Sequence, residues 1–425
     1  MKTKMRIKIK KRTLVGWLVW LLTFLPLFLG VLTEFMGFPW GTRYLLDAAW
    51  LSLAVIMIRY NQQIKLYYMK VIVFWVALFG LITFFSYLIQ YQSGWYYLWG
   101  VRNNFRFYVA FVAFSALLSV KDIKDFFRFF DALFWLNLIV SFVQWKFLKV
   151  SGDYLGGIFG VSQGVNGYTN IFILITVTKS ICFYLDQKES IRKCAIKCAA
   201  AFLIAAMAEI KFIYVEFIVV VVAAMLLNNF SWRKFWIVLG AVAVLSLFTS
   251  FMAIFFPTSA ELLSFDWFRQ EAASDKGYTS SGDLNRLTAI TRSNELWLTH
   301  WSQRIFGLGL GNCDTSSFAI VNTPFYEQYG HMHYTWMVHA IMYLETGYIG
   351  LIFYFGFFVL VYLAIRKIER QSEGIAKSYC RMSKIVTICC PLIAVYNASL
   401  RGESAYMAYF VLAVPFAFAR ERRCK

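Results

Sequence analysis

Twelve apolar runs of about 15 to 26 residues recur along this chain, at about 13–33, 43–58, 69–90, 106–120, 128–148, 167–185, 196–210, 213–229, 235–256, 340–365, 385–399 and 404–419. A run of that length crosses a bilayer as a helix. Composition agrees: 60% of residues are hydrophobic and 15% charged, against roughly half and a quarter in soluble domains. The expected fold class is all-α, a polytopic transmembrane bundle of about twelve spans.

The net charge of +19 would suit a polyanion partner, but its distribution argues for a membrane. If the N-terminus is placed inside and the runs alternate, the inner segments 1–12, 59–70, 121–128, 186–197, 228–234, 366–384 and 420–425 hold 29 of the 42 Lys and Arg residues. That bias sets orientation. Both termini are expected on the cytoplasmic side of the cytoplasmic membrane, and no nucleic acid is expected as partner. Met1 to Arg12 precedes a full-length run with no small-residue cleavage site, so it reads as the flank of a retained first helix. The eight cysteines show neither metal-ligand spacing nor a disulfide framework.

One polar stretch, from about Pro257 to His333, interrupts the pattern. It divides the chain into an N-terminal bundle (1–256), an extracytoplasmic loop or lid (257–339) and C-terminal spans (340–425). Within it, Leu287, Ile290, Trp297, Trp301 and Ile305 recur at near-helical spacing among Arg286, Arg292, Glu295, His300 and Arg304. This predicts an amphipathic helix from Leu284 to Phe306 on the membrane surface, with Asp283 as N-cap. The glycines of Gly307-Leu308-Gly309-Leu310-Gly311 then turn the chain. They follow no strand, so they are not a dinucleotide fingerprint. His331 and His333 are two residues apart, a spacing that on a helix points them away from one another.

The same outer face collects other polar groups. The tight turn Glu209-Ile210-Lys211 reads either as a hairpin-closing pair or as a functional cation. Arg102, in the aromatic segment 95–106, either snorkels or meets phosphate. Arg401 lies in a very short connection and either pairs with Glu403 or serves a ligand. His339 and Glu345 open the next span. The histidine is either a packing residue or a proton carrier. Lys179 stands inside a span.

The string Phe306-Gly307-Leu308-Gly309-Leu310-Gly311, the histidines after it, and Leu344-Glu345-Thr346-Gly347-Tyr348-Ile349-Gly350-Leu351 resemble the O-antigen ligase/polymerase superfamily of membrane glycosyltransferases. Gly157-Ile158-Phe159-Gly160 and the Glu209-Ile210-Lys211 hairpin extend the likeness weakly. The resemblance implies transfer of a glycan from an undecaprenyl-diphosphate carrier to an acceptor hydroxyl outside the membrane, without metal, cofactor or nucleotide sugar. It implies a catalytic set drawn from His333, His339, Glu345 and Arg286. The diphosphate-binding set is Lys211, Arg286, Arg292, Arg401 and Arg102. Arg286 matches the arginine before the glycine-rich turn. Lys211 stands where many ligases carry arginine. The family's His-Asn pair ahead of Glu-x-Gly has no counterpart, and Trp336 occupies its place.

The chemistry is consistent with those residue types. Cations stabilise a departing diphosphate, and a neutral His or a Glu can take a sugar hydroxyl proton. The expected activity is a polysaccharide polymerase acting on lipid-linked repeat units. The alternatives are a ligase using a lipid or protein acceptor, and a lipid-linked oligosaccharide flippase or other transporter. Expected partners are the undecaprenyl-diphosphate-linked oligosaccharide, membrane lipids, and a chain-length regulator and flippase of the same pathway.

Overall fold

The computed structural model describes residues 14–59, 67–90, 92–227, 232–255, 277–279, 282–316 and 318–424. The cationic segment 1–12, the first part of the polar stretch (257–276) and Ser280-Ser281 lie outside the described residues. Among those described, helices carry the fold, and the only β pairing is an isolated bridge between Tyr278 and Leu284.

A helix covers each of the twelve apolar runs. They are α1 (Leu14–Gly30), α2 (Tyr44–Arg59), α3 (Lys70–Ile89), α4 (Gly94–Leu117), α5 (Val120–Lys146), α6 (Asn166–Leu185), α7 (Ile191–Met207), α8 (Ile213–Leu226), α9 (Trp232–Phe255), and, after the polar stretch, α13 (Val338–Arg370), α14 (Gly374–Tyr396) and α15 (Ala405–Cys424). Between them the described part of the loop forms three short α-helices, α10 (Ala289–Leu296), α11 (Trp301–Phe306) and α12 (Pro324–Tyr329). Among the described residues, seven helical segments are long and apolar enough to cross a membrane, as befits a membrane protein.

Helix α6 lies at the centre and is almost wholly buried, whereas little of α2 and α3 is buried. Large apolar side chains therefore point outward from the peripheral helices, among them Val55, Ile58, Phe74, Ile89 and Ile254. In water such a surface would aggregate. Against lipid tails it is solvated. Inside, α15 packs on α4 and α14, and α14 on α6 and α13. Phe107 and Phe357 stack on Tyr409 at this junction, with centroids 5.6 Å apart in each case.

Three sequence expectations need correction. Helix α4 begins at Gly94, twelve residues before the apolar run. Trp99, Arg102 and Asn103 are therefore helical residues, because their polar groups find partners inside the fold. The expected single helix over 284–306 is broken into α10 and α11. The backbone N–H groups of Trp297 and Leu298 both close on the Ser293 carbonyl, at 3.0 and 2.9 Å. Leu298 is fully buried. The Trp297 ring turns inward, edge-on to Phe325 at 5.3 Å and to Tyr334 at 5.9 Å, while Trp301 stays 72% exposed. The two tryptophans do not share one embedded face. Asp283 caps no helix. The residue preceding α10 is Thr288.

The glycine-rich turn explains why its sequence and that of 344–350 go together. The N–H groups of Leu308 and Gly309 bond to the carbonyls of Leu344 and Glu345, at 2.7 and 3.0 Å. Helix α13 kinks there, at Gly347 (φ 63°, ψ −161°). On its other side the turn presses on α4: a Cβ on Gly311 (φ +86°) would collide with the Tyr96 carbonyl oxygen. Left-handed φ and backbone-to-backbone contact together demand glycine.

Gly311→Ala should therefore lower the thermal midpoint of the purified protein far more than Gly37→Ala. Gly37 also has positive φ (+70°), but open space surrounds its Cβ position. Conformational strain alone costs about 1–2 kcal/mol, and equal shifts for the two variants would exclude a packing role for the turn.

Candidate functional site

The loop returns to the bundle at one seam. Arg286 Nε donates to the Tyr396 carbonyl at 2.9 Å, and its guanidinium lies 4.7 Å from the Tyr396 ring centroid. That ring stacks on Phe212 at 4.1 Å and 8°. Phe212 closes the tight turn 208–212, so Lys211 comes to the same seam from the α7–α8 hairpin. His339, 4% exposed, sits beneath with Nε2 2.9 Å from the Arg286 carbonyl and Nδ1 3.3 Å from the Ala394 carbonyl. A neutral ring has a single N–H and donates to one of these carbonyls at a time, and the shorter contact ties His339 to the Arg286 backbone rather than to solvent.

His333 is differently placed. Its Nδ1 lies 2.5 Å from Asp283 Oδ1, and its side chain is 39% exposed. The Trp336 ring stacks on it at 3.8 Å and 17°. The residue adopts left-handed backbone, φ 54° and ψ 29°, which histidine takes more readily than most residues. A carboxylate on Nδ1 fixes the tautomer and leaves Nε2 to accept a proton. Leu284 N–H bonds to the Met332 carbonyl at 3.1 Å. The segment 283–286 therefore runs beside 332–339 and carries both the Asp283–His333 pair and Arg286.

A second cluster lies in the bundle. Arg401 holds Asp314 through two nitrogens at 3.2 and 2.8 Å and lies 3.6 Å from Glu345. Asn103 donates to the same Asp314 at 2.5 Å. Arg106, 2% exposed, contacts Glu403 at 3.2 Å and Asp47 at 3.9 Å, and donates to the Arg401 carbonyl at 2.9 Å. Arg102 pairs with Asp47 at 2.8 Å, and Tyr168 donates to Glu403 at 3.1 Å. Three guanidiniums face four carboxylates, so the cluster offers no surplus positive charge. A cavity of ≈ 160 Å³ adjoins it, lined in part by Glu34, Trp40, Arg43, Tyr168 and Glu403.

The sequence-derived candidates therefore separate. Arg102 and Arg401, expected at a diphosphate, are internal ties between helices and loop. Glu345, 1% exposed, is enclosed beside Arg401 at 3.6 Å. Arg292 pairs with Glu295 at 2.5 Å and lies over the Tyr278 ring, bracing the start of the described loop. Of Arg102, Arg286, Arg292 and Arg401, only Arg286 has no carboxylate partner among the described residues. Asp47, Arg106, Asp314 and Glu403 complete the network. The signal for Asp47 and Arg106 was visible, since each is a charge in or bordering an apolar run, and charges at such places have partners or functions. Nothing local marked Asp314. Among the described residues, no three His, Cys, Asp or Glu groups gather as a metal-ligand set.

Burial would raise the Glu403 carboxyl, but the guanidiniums of Arg106 and Arg102 more than offset it and hold it below the usual 4.5. Its contribution to stability is then complete above pH 4.5 and lost as pH falls through the lower folded value. Glu403→Gln should unfold more easily at pH 7, by about 2 kcal/mol for a charged hydrogen bond lost. The gap to wild type should close on acidification, as thermal melts across pH 7 to 3 would show. A gap independent of pH would remove Glu403 from the ion-pair network. No family model and no curated protein matches this chain, so the reading of the site rests on its own geometry.

Proposed function

We propose that the chain is a membrane glycosyltransferase of the polysaccharide polymerase type. In this reading it has about twelve spans in the cytoplasmic membrane, with both termini cytoplasmic and the loop outside. The donor is a glycan on undecaprenyl diphosphate and the acceptor a sugar hydroxyl of a second lipid-linked unit. The observation that carries this is the pairing, on adjacent loop segments, of an Arg286 guanidinium with no carboxylate partner among the described residues and a carboxylate-held His333.

The acceptor oxygen attacks the anomeric carbon, and the bond from that carbon to the diphosphate oxygen breaks. The departing diphosphate keeps the electron pair, and Arg286 meets its developing charge with the terminal nitrogens that Tyr396 leaves unused. Lys211 adds a cation from the hairpin. His333 Nε2 takes the hydroxyl proton, and Asp283 stabilises the imidazolium formed. The products are a longer lipid-linked glycan and undecaprenyl diphosphate.

Reconstituted protein given a lipid-diphosphate repeat unit should form longer glycans. His333→Ala should slow it by about 10²-fold or more, Asp283→Asn should slow it too, and Arg286→Ala should abolish polymer. Arg286→Lys should recover a part, because it keeps charge but loses the fork. Melting curves check that each variant folds. Full polymer from Arg286→Ala would remove the proposed diphosphate site. Cysteines placed at His331 and Lys188 should label from opposite sides of sealed cells.

A transporter reading draws on Glu216, which is fully buried in α8 with the Asn170 amide at 2.8 Å. Intramembrane carboxyls of this kind occur in proton-coupled carriers. Protein that moves the lipid-linked unit across vesicles without extending it would favour that reading.

A further inference from the structure

Lys179 is the one cation set well inside an apolar run, and the site just described does not use it. It lies six residues before the end of α6, about 9 Å along the axis. Its Nζ contacts Asp131 of α5 at 2.5 Å. Lys197 of α7 reaches the same Asp131 at 3.4 Å and Glu189 at 3.0 Å. These groups floor a cavity of ≈ 1020 Å³ between α5, the α6–α7 turn and the start of α14. Six basic side chains line it, Lys124, Arg128, Lys179, Lys188, Lys193 and Lys197, against two carboxylates, Asp131 and Glu189. Asp125 pairs with Arg128 at 3.4 Å, so six cations against three carboxylates leave a formal excess of three positive charges. Among the described residues, Lys124, Lys188 and Lys193 have no ion-pair partner.

The cavity lies at the far end of the bundle from the arginine cluster. Tyr168 at the start of α6 bonds to Glu403, and the 20 residues of α6 rise about 30 Å. One wall is apolar: Phe127, Trp135, Phe183, Ile196 and Tyr379. Of these, Trp135 and Ile196 are exposed, at 38% and 57%. Cationic side chains above and an outward apolar wall beside them match an amphiphile, with phosphate at the lysines and acyl chains along the wall. A basic pocket between membrane helices is the usual receptor for an anionic headgroup. Free inorganic phosphate would use the lysines but not the wall.

We propose that this cavity is a binding site for an anionic glycerophospholipid, with Lys124, Lys188 and Lys193 on the phosphate and the Trp135–Ile196 wall on the acyl chains. The proposal does not depend on the glycosyl-transfer reading. It concerns a different face and a different ligand.

The full-length protein in phosphatidylcholine nanodiscs would be titrated with cardiolipin, phosphatidylglycerol and inorganic phosphate, following the melting midpoint and the lipid retained in native mass spectra. Cardiolipin and phosphatidylglycerol should raise the midpoint and be retained. Phosphate at matched concentration should do neither. The triple variant Lys124→Ala, Lys188→Ala, Lys193→Ala should lose at least about tenfold of the preference for anionic lipid, since each lysine contributes about fivefold. The corresponding triple arginine variant should keep it. The proposal is overturned by unchanged preference in the folded alanine variant, by equal retention of phosphatidylcholine, or by phosphate reproducing the whole shift.

Discussion

The contact on which the rest of this structure depends is the buried pairing of Arg106 and Arg401 with their carboxylates. A guanidinium at 2% exposure has lost its water, and desolvation of that size is tolerated only with paired charge and satisfied hydrogen bonds. Arg106 obtains both from Glu403, Asp47 and the Arg401 carbonyl. Arg401 obtains them from Asp314 and Glu345. These partners come from α2, the polar loop, α13 and the turn before α15. Burying the charge therefore fixes five parts of the chain relative to one another. Apolar packing against lipid lacks the water-driven force that would do so.

The glycine turn works with this network. Gly307 to Gly311 thread between α4 and the kink of α13, and Cys313 and Asp314 follow at once. The close backbone approach delivers Asp314 to Arg401. The loop is thus anchored at its base, and its upper segments, 283–286 and 332–339, are held over the α7–α8 hairpin by the Arg286–Tyr396–Phe212 stack. In that arrangement, charges that must hold the fold are neutralised internally, while among the described residues no carboxylate reaches Arg286.

Much of this could be read from the chain. The apolar runs mark the helices, because backbone in hydrocarbon must satisfy its own hydrogen bonds, and the tight turn at 208–212 appears where it was expected. The break in the loop helix was not legible, because Trp297 at helical spacing looks the same whether it faces lipid or, as here, Phe325 and Tyr334. The candidate arginines were legible as a group but not individually. Arg102, Arg286 and Arg401 are equivalent as residue types on one face. They differ only in whether a carboxylate distant in sequence reaches them.

By itself, then, the sequence determined the class of the protein, the positions of its helices, and the gathering of polar groups into the loop and the short turns. These follow from hydrophobicity and hydrogen-bond accounting within single segments. Only the tertiary structure decided that Arg286 stands, among the described residues, without a carboxylate while Arg102 and Arg401 are tied, that His333 has Asp283 on its ring and His339 has backbone, and that Lys179 floors a cationic cavity. Each of those outcomes turns on a pairing between segments remote in sequence. Charge–charge contacts act over a few ångströms in space, so no local pattern encodes them.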